Sequence, residues 1–105
     1  MKPIPAPLRK QLAEETFRCA REREGTCSGR MTVEHAFGRR DQKRWKLVIL
    51  CWFHHLGAGL DKELNRHLAY RQVNEKELKR AYPKTFDQHI QAKKYLAEKY
   101  AKYAP

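Results

Sequence analysis

No apolar run in this 105-residue chain approaches the roughly 18 residues that a membrane-crossing helix requires, so no transmembrane helix is expected. Its first residues, Met1-Lys2-Pro3-Ile4-Pro5-Ala6-Pro7, lack the apolar stretch of a secretion signal, and a cytoplasmic protein is the expectation. Cysteine occurs only three times, an odd count that excludes a closed disulfide scaffold and suits reduced thiolates on a metal. Acidic residues are scarce: 12 Asp and Glu stand against 23 Lys and Arg, a formal net charge of +11. That surplus points to a polyanionic partner, nucleic acid before anionic membrane; the plainer alternative is a basic surface kept for solubility. Apolar residues make up only 41%, so the core is small, and domains of this size lean on a metal or disulfides.

The length suits one domain over 1–105, and there is no internal repeat. Residues 1–7 carry three of the five prolines and read as an extended arm, with Pro7 near a helix start. Leu8, Leu12 and Ala13 give a short helical stripe. Gly25-Thr26-Cys27-Ser28-Gly29 is a turn cluster, so Cys19 and Cys27 flank a loop or hairpin. Met31–Phe37 and Lys46–Leu50 read as an antiparallel strand pair, the second apolar from Leu47 on. From Trp52 the pattern turns helical, broken at Gly57-Ala58-Gly59, and Leu60, Leu64 and Leu68 then recur at four-residue intervals. Asn74-Glu75-Lys76-Glu77 and Thr85-Phe86-Asp87-Gln88 read as capping boxes opening two further helices. The expectation is an α+β chain with a core over 17–72 and C-terminal helices over 74–105.

Cys19-x7-Cys27 and Cys51-x2-His54 supply three thiolates and an imidazole, a donor set that suits tetrahedral zinc. The plain alternative is three thiols packed as small hydrophobes, although the turn-rich segment around Cys27 is poor core material. His54, two residues on from Cys51, is assigned to the metal ahead of His55. Glu34, His35 and His55 are then surplus to a structural zinc, and this surplus points to catalysis. Phosphodiester hydrolysis needs a cation to neutralise phosphate charge and a base to activate water. His35, with an intrinsic pKa near ~6.5, can serve as base, and Glu34 or His55 can hold the cation.

Thr32-Val33-Glu34-His35, a loop, and Leu47-Val48-Ile49-Leu50-Cys51-x2-His54-His55 together resemble the HNH endonucleases with a ββα-metal fold. The wide Cys19-x7-Cys27 spacing before Ser28-Gly29 is similar to that of small phage and prophage nucleases in the family, and the likeness spans about residues 17–60. It implies a ββα-metal core with a structural zinc on Cys19, Cys27, Cys51 and His54. It also implies a catalytic magnesium or manganese on Glu34 and His55, with His35 as general base. Two positions depart from the family pattern. His54 replaces a cysteine, and Lys46 occupies the place of an asparagine nine residues before the last histidine. Asn65 and His67 are candidate substitutes for that asparagine, with packing roles preferred for both.

Arg39, Arg40, Lys43, Arg44 and Lys46 crowd the segment between the strands, opposed only by Asp41, and are candidate phosphate contacts. Trp45 among them can stack on a base or anchor the loop in the core; the anchor is preferred. The lysines of the last helix read as a solvated face, and nothing resembles a base-reading helix. The functional expectation is a DNA endonuclease of low sequence specificity. The rivals are a non-catalytic zinc-stabilised nucleic-acid-binding protein and an interaction protein whose basic helices bind an acidic partner.

Overall fold

The computed structural model describes residues 4–14, 18–38 and 43–103. Helix α1 (Ala6–Glu14) is followed by strand β1 (Met31–His35), strand β2 (Leu47–Cys51) and a single-turn helix α2 (Trp52–His55). Helices α3 (Lys62–Tyr70), α4 (Glu75–Ala81) and α5 (Phe86–Lys99) complete the order. This is a small α+β domain built on a two-stranded antiparallel sheet. Met31 pairs with Cys51, Thr32 with Leu50, Val33 with Ile49, Glu34 with Val48 and His35 with Leu47. Among the described residues no helix is long and apolar enough to cross a membrane.

Strand β2 is apolar without alternation because both of its faces are covered. Leu47 and Ile49 meet Leu12 of α1, with Leu8 and Ile4 beside it. Val48 and Leu50, on the opposite face, pack with Leu64, Leu68 and Ala69 of α3. Thr32 and Glu34 pair with Leu50 and Val48, so they share the α3 face of the sheet. That single fact of register directs the chain's most acidic strand position at a helix rather than at solvent.

The proline-rich arm is shorter than the sequence suggests. Ala6 and Pro7 already belong to α1, where the fixed φ of proline suits the first turn. Leu60 is not part of the α3 stripe either: it lies in the turn before the helix and is 40% exposed. Asp61 instead caps α3, its carboxylate accepting from the Leu64 N–H at 3.1 Å. Asn74 caps α4 in the same way, accepting from Glu77 N–H at 2.8 Å. Thr85 precedes α5 without a side-chain capping bond, since its backbone (φ −118°, ψ 18°) is not the extended conformation of a capping residue.

A second apolar cluster joins the C-terminal helices to the strands. Trp45, Tyr70, Val73, Leu78 and Leu96 form it, with Phe37 and Tyr82 against it. Trp45 is therefore a core anchor. Lys93 fastens α5 to the end of α3: its Nζ donates to the Tyr70 carbonyl at 2.5 Å and the Val73 carbonyl at 2.6 Å. An ammonium there suits the negative end of α3, where the Tyr70 carbonyl also accepts from the Val73 N–H at 3.3 Å.

Candidate metal centre and adjoining cleft

Cys19, Cys27, Cys51 and His54 come together from three separate segments, and their donor atoms all lie within 4.8 Å of one another. Backbone bonds bring them there. The Ala20 N–H donates to the Ile49 carbonyl at 2.8 Å, pinning Cys19 against β2. The Phe53 N–H donates to the Ser28 carbonyl and the Trp52 N–H to the Arg30 carbonyl, holding the Cys27 turn over the start of α2. Gly29 makes that approach possible. It sits at φ +83°, and a Cβ there would lie 2.7 Å from the Trp52 Cβ. Cys51 ends β2, and His54 follows one turn later, fully buried.

The donor geometry fits a tetrahedral ion. His54 Nδ1 lies 3.2 Å from Cys51 Sγ, 3.5 Å from Cys19 Sγ and 3.8 Å from Cys27 Sγ. Zinc bonds of about 2.3 Å to sulfur and about 2.0–2.1 Å to nitrogen give tetrahedral S···N edges of roughly 3.6 Å. The other ring nitrogen, Nε2, is 2.9 Å from the Thr26 hydroxyl and 3.9 Å from Glu24 Oε1. An Nε2–H bonded to Thr26 leaves the Nδ1 lone pair facing the sulfurs, the tautomer a metal requires. Burial, reinforced by Arg21, lowers the His54 pKa against a smaller opposing pull from Glu24, so the ring is neutral.

The thiols show the same preparation. Burial works against the Cys51 thiolate, but the backbone N–H groups of His54 and Ser28 and the Cys27 and Cys19 thiols overcome it and lower the pKa. Cys27 takes the opposite share: burial of its thiol and then the neighbouring Cys19 and Cys51 push it up to about 12. Three crowded sulfurs cannot all ionise without a cation between them. The cluster can therefore bind a metal ion such as zinc. Arg21 braces it, bonding both Glu24 oxygens at 2.5 and 2.8 Å and the Gly59 carbonyl with its remaining nitrogen. Thr26→Val, which keeps shape and removes the bond to His54, is expected to weaken zinc affinity about 10- to 100-fold, measured by competition with a chromophoric chelator.

The adjacent histidine goes elsewhere. His55 Nδ1 is 2.6 Å from the Thr32 hydroxyl, which itself donates to the Leu50 carbonyl at 2.8 Å. With its proton committed to Leu50, the Thr32 oxygen accepts from His55 Nδ1–H, and the Nε2 lone pair is left pointing outward. Glu34 Oε1 lies 3.8 Å from that nitrogen. Two acceptors at this separation are arranged to share a proton or a cation. His35 pairs with Leu47 at the end of β1. Beyond it opens a cleft of about 200 Å3 lined by Glu34, His35, Ala36, Gly38, Lys62, Asn65 and Arg66.

The inter-strand basic residues divide. Arg39 and Arg40 lie outside the described residues. Lys43 is exposed, and Arg44 is half-buried with one guanidinium nitrogen on the Leu47 carbonyl at 2.8 Å. Lys46 does not fit the expected role of phosphate contact. It is 4% exposed, with its ammonium 4.8 Å from the Tyr82 ring centre and 5.5 Å from that of Trp45. The start of β2 and the aromatic cluster draw its stem inward and hold its charge over ring faces. His67 is a packing residue stacked on Tyr100, with burial, then Arg71 and Lys93, lowering its pKa.

Sequence reasoning passed over Thr32, Thr26 and the Arg21–Glu24 pair. Thr32 had a readable signal, since it lies two residues before Glu34 and so shares its face of the strand. No family model, curated protein or solved structure matches the chain.

Proposed function

We propose that this protein is a metal-dependent DNA endonuclease built on a ββα-metal core, with a structural zinc on Cys19, Cys27, Cys51 and His54. The single observation that carries the reading is the Glu34–His55 pair. The carboxylate and the outward Nε2 stand 3.8 Å apart, with the imidazole held by Thr32 and the Glu34 side of the pair lining the cleft that His35 borders. A structural metal site needs none of these groups. Glu34 and His55 would hold a magnesium or manganese ion, which when bound would neutralise charge on the scissile phosphate and its leaving oxygen. His35 takes the proton from the attacking water. The net charge of +11 draws the polyanion in through its phosphates, a contact that carries no sequence information and so supports low sequence specificity.

Zinc-loaded protein is expected to nick supercoiled plasmid only when magnesium or manganese is added. Glu34→Gln, the same size without the charge, should slow nicking by about 100-fold or more while the protein still folds. Equal cutting by the two proteins would remove Glu34 from the chemistry. Plasmid binding with no nicking under any divalent ion would favour the non-catalytic nucleic-acid-binding reading.

A further inference from the structure

We propose that Lys62, Asn65 and Arg66 of α3 form a phosphate-binding subsite for the DNA strand, across the cleft from Glu34 and His35. The inference rests on the nuclease reading for its substrate but stands on different residues. Asn65 is 1% exposed and lines the cleft, yet neither its Nδ2 nor its Oδ1 has a hydrogen-bond partner. A buried amide left unpaired weakens a fold, and an apolar side chain of similar size serves packing better. An asparagine at such a place suits a ligand that pairs with it.

The surroundings specify the ligand's charge. Lys62 and Arg66 are four residues apart on α3, which puts them on one side of the helix, and both are exposed and border the cleft. Arg66 is held in place from below, its Nε donating to the Ala36 carbonyl at 3.3 Å and its guanidinium 5.8 Å from the Phe37 ring centre. The acidic residue between them, Glu63, is engaged by Lys99 and Tyr100 and turned to α5. Two cations thus border a space of about 200 Å3, with the unpaired Asn65 amide buried behind its wall. That space is large enough for a phosphate group with part of its hydration. A phosphate there lies beside the Glu34–His55 pair, as a nucleotide flanking a cut bond would.

The test is binding of a fluorescent DNA duplex by anisotropy across a salt series, without added magnesium or manganese so that cleavage plays no part. Lys62→Gln and Arg66→Gln should each weaken binding about three- to tenfold and reduce the slope of log K against log salt by about 0.9. Lys94→Gln, which removes an exposed charge on α5 away from the cleft, should leave the slope within error. Asn65→Leu separates binding from folding. The melting temperature should rise by about 4 °C or more as the orphan amide is removed, while DNA affinity falls about tenfold. Unchanged slopes in the α3 variants, an equal loss in Lys94→Gln, or Asn65→Leu that binds like wild type would overturn the subsite. Unaltered binding in the variants of a protein that nicks plasmid would sink the subsite alone. Weakened binding in the variants of a protein that never nicks would sink the nuclease alone.

Discussion

Cys51→Ser is expected to leave the chain without a cooperative thermal transition and without bound zinc. Serine nearly matches cysteine in volume, so the substitution opens no large cavity, and packing alone predicts a modest loss. The metal predicts a gross one. Cys51 closes β2, precedes α2 and faces the Cys19 and Cys27 segments, so its sulfur joins three separate pieces of chain. Structural zinc contributes on the order of 10 kcal/mol to folding, against a total stability of about 5–15 kcal/mol for a typical domain. Cys27→Ser makes the attribution sharper. Most of Cys27 is exposed, with its sulfur turned in among the other donors, so its loss costs little packing, yet it removes one of the four donors as surely as Cys51 does. Both variants should lose the circular-dichroism melting transition, and elemental analysis, expected to give one zinc per chain in the wild type, should find none in either. A wild type without metal, or a Cys27→Ser variant melting at the wild-type temperature, would end the zinc assignment.

Spacing along the chain made part of this architecture legible. The two strands were readable because β2 is an unbroken apolar run and β1 leads directly into Glu34 and His35. The four donors were readable because cysteine and histidine are rare, and the two-residue gap from Cys51 selects His54, which the structure buries against the sulfurs while His55 turns to Thr32. Asn74 announced α4 because its cap is local chemistry. What failed to show depended on distant parts of the chain. Lys46 looks like one more cation in a basic segment; only the meeting of Trp45 and Tyr82, 37 positions apart, turns it inward. Leu60 continues a leucine period, but Asp61 starts the helix after it. Asn65 reads as a polar helix residue, and its isolation beneath the cleft exists only once α3 lies on the sheet. Register likewise decides that Glu34, and not His35, shares a face of the sheet with Val48.

His35→Ala tests the chemistry at the point where those two faces meet. The variant should nick plasmid about 1000-fold more slowly, within the about 10²- to 10⁴-fold range of general-base catalysis, while binding the DNA duplex as tightly as wild type. The asymmetry follows from position. His35 ends β1 beside the cleft, half-buried, whereas the proposed DNA contacts are the cations of α3. Losing a base raises the barrier to water attack without removing a phosphate contact. Its neighbour behaves differently: Glu34→Gln weakens the hold on the divalent ion, so raising the magnesium concentration should recover part of its rate but none of that of His35→Ala. Free imidazole should do the reverse, restoring some nicking to His35→Ala by entering the vacated space and leaving Glu34→Gln unmoved. These opposite rescues separate a proton acceptor from a metal ligand even though the two residues are adjacent. If His35→Ala melts well below wild type and neither addition helps it, His35 holds the end of the strand, and the proton must go to another group.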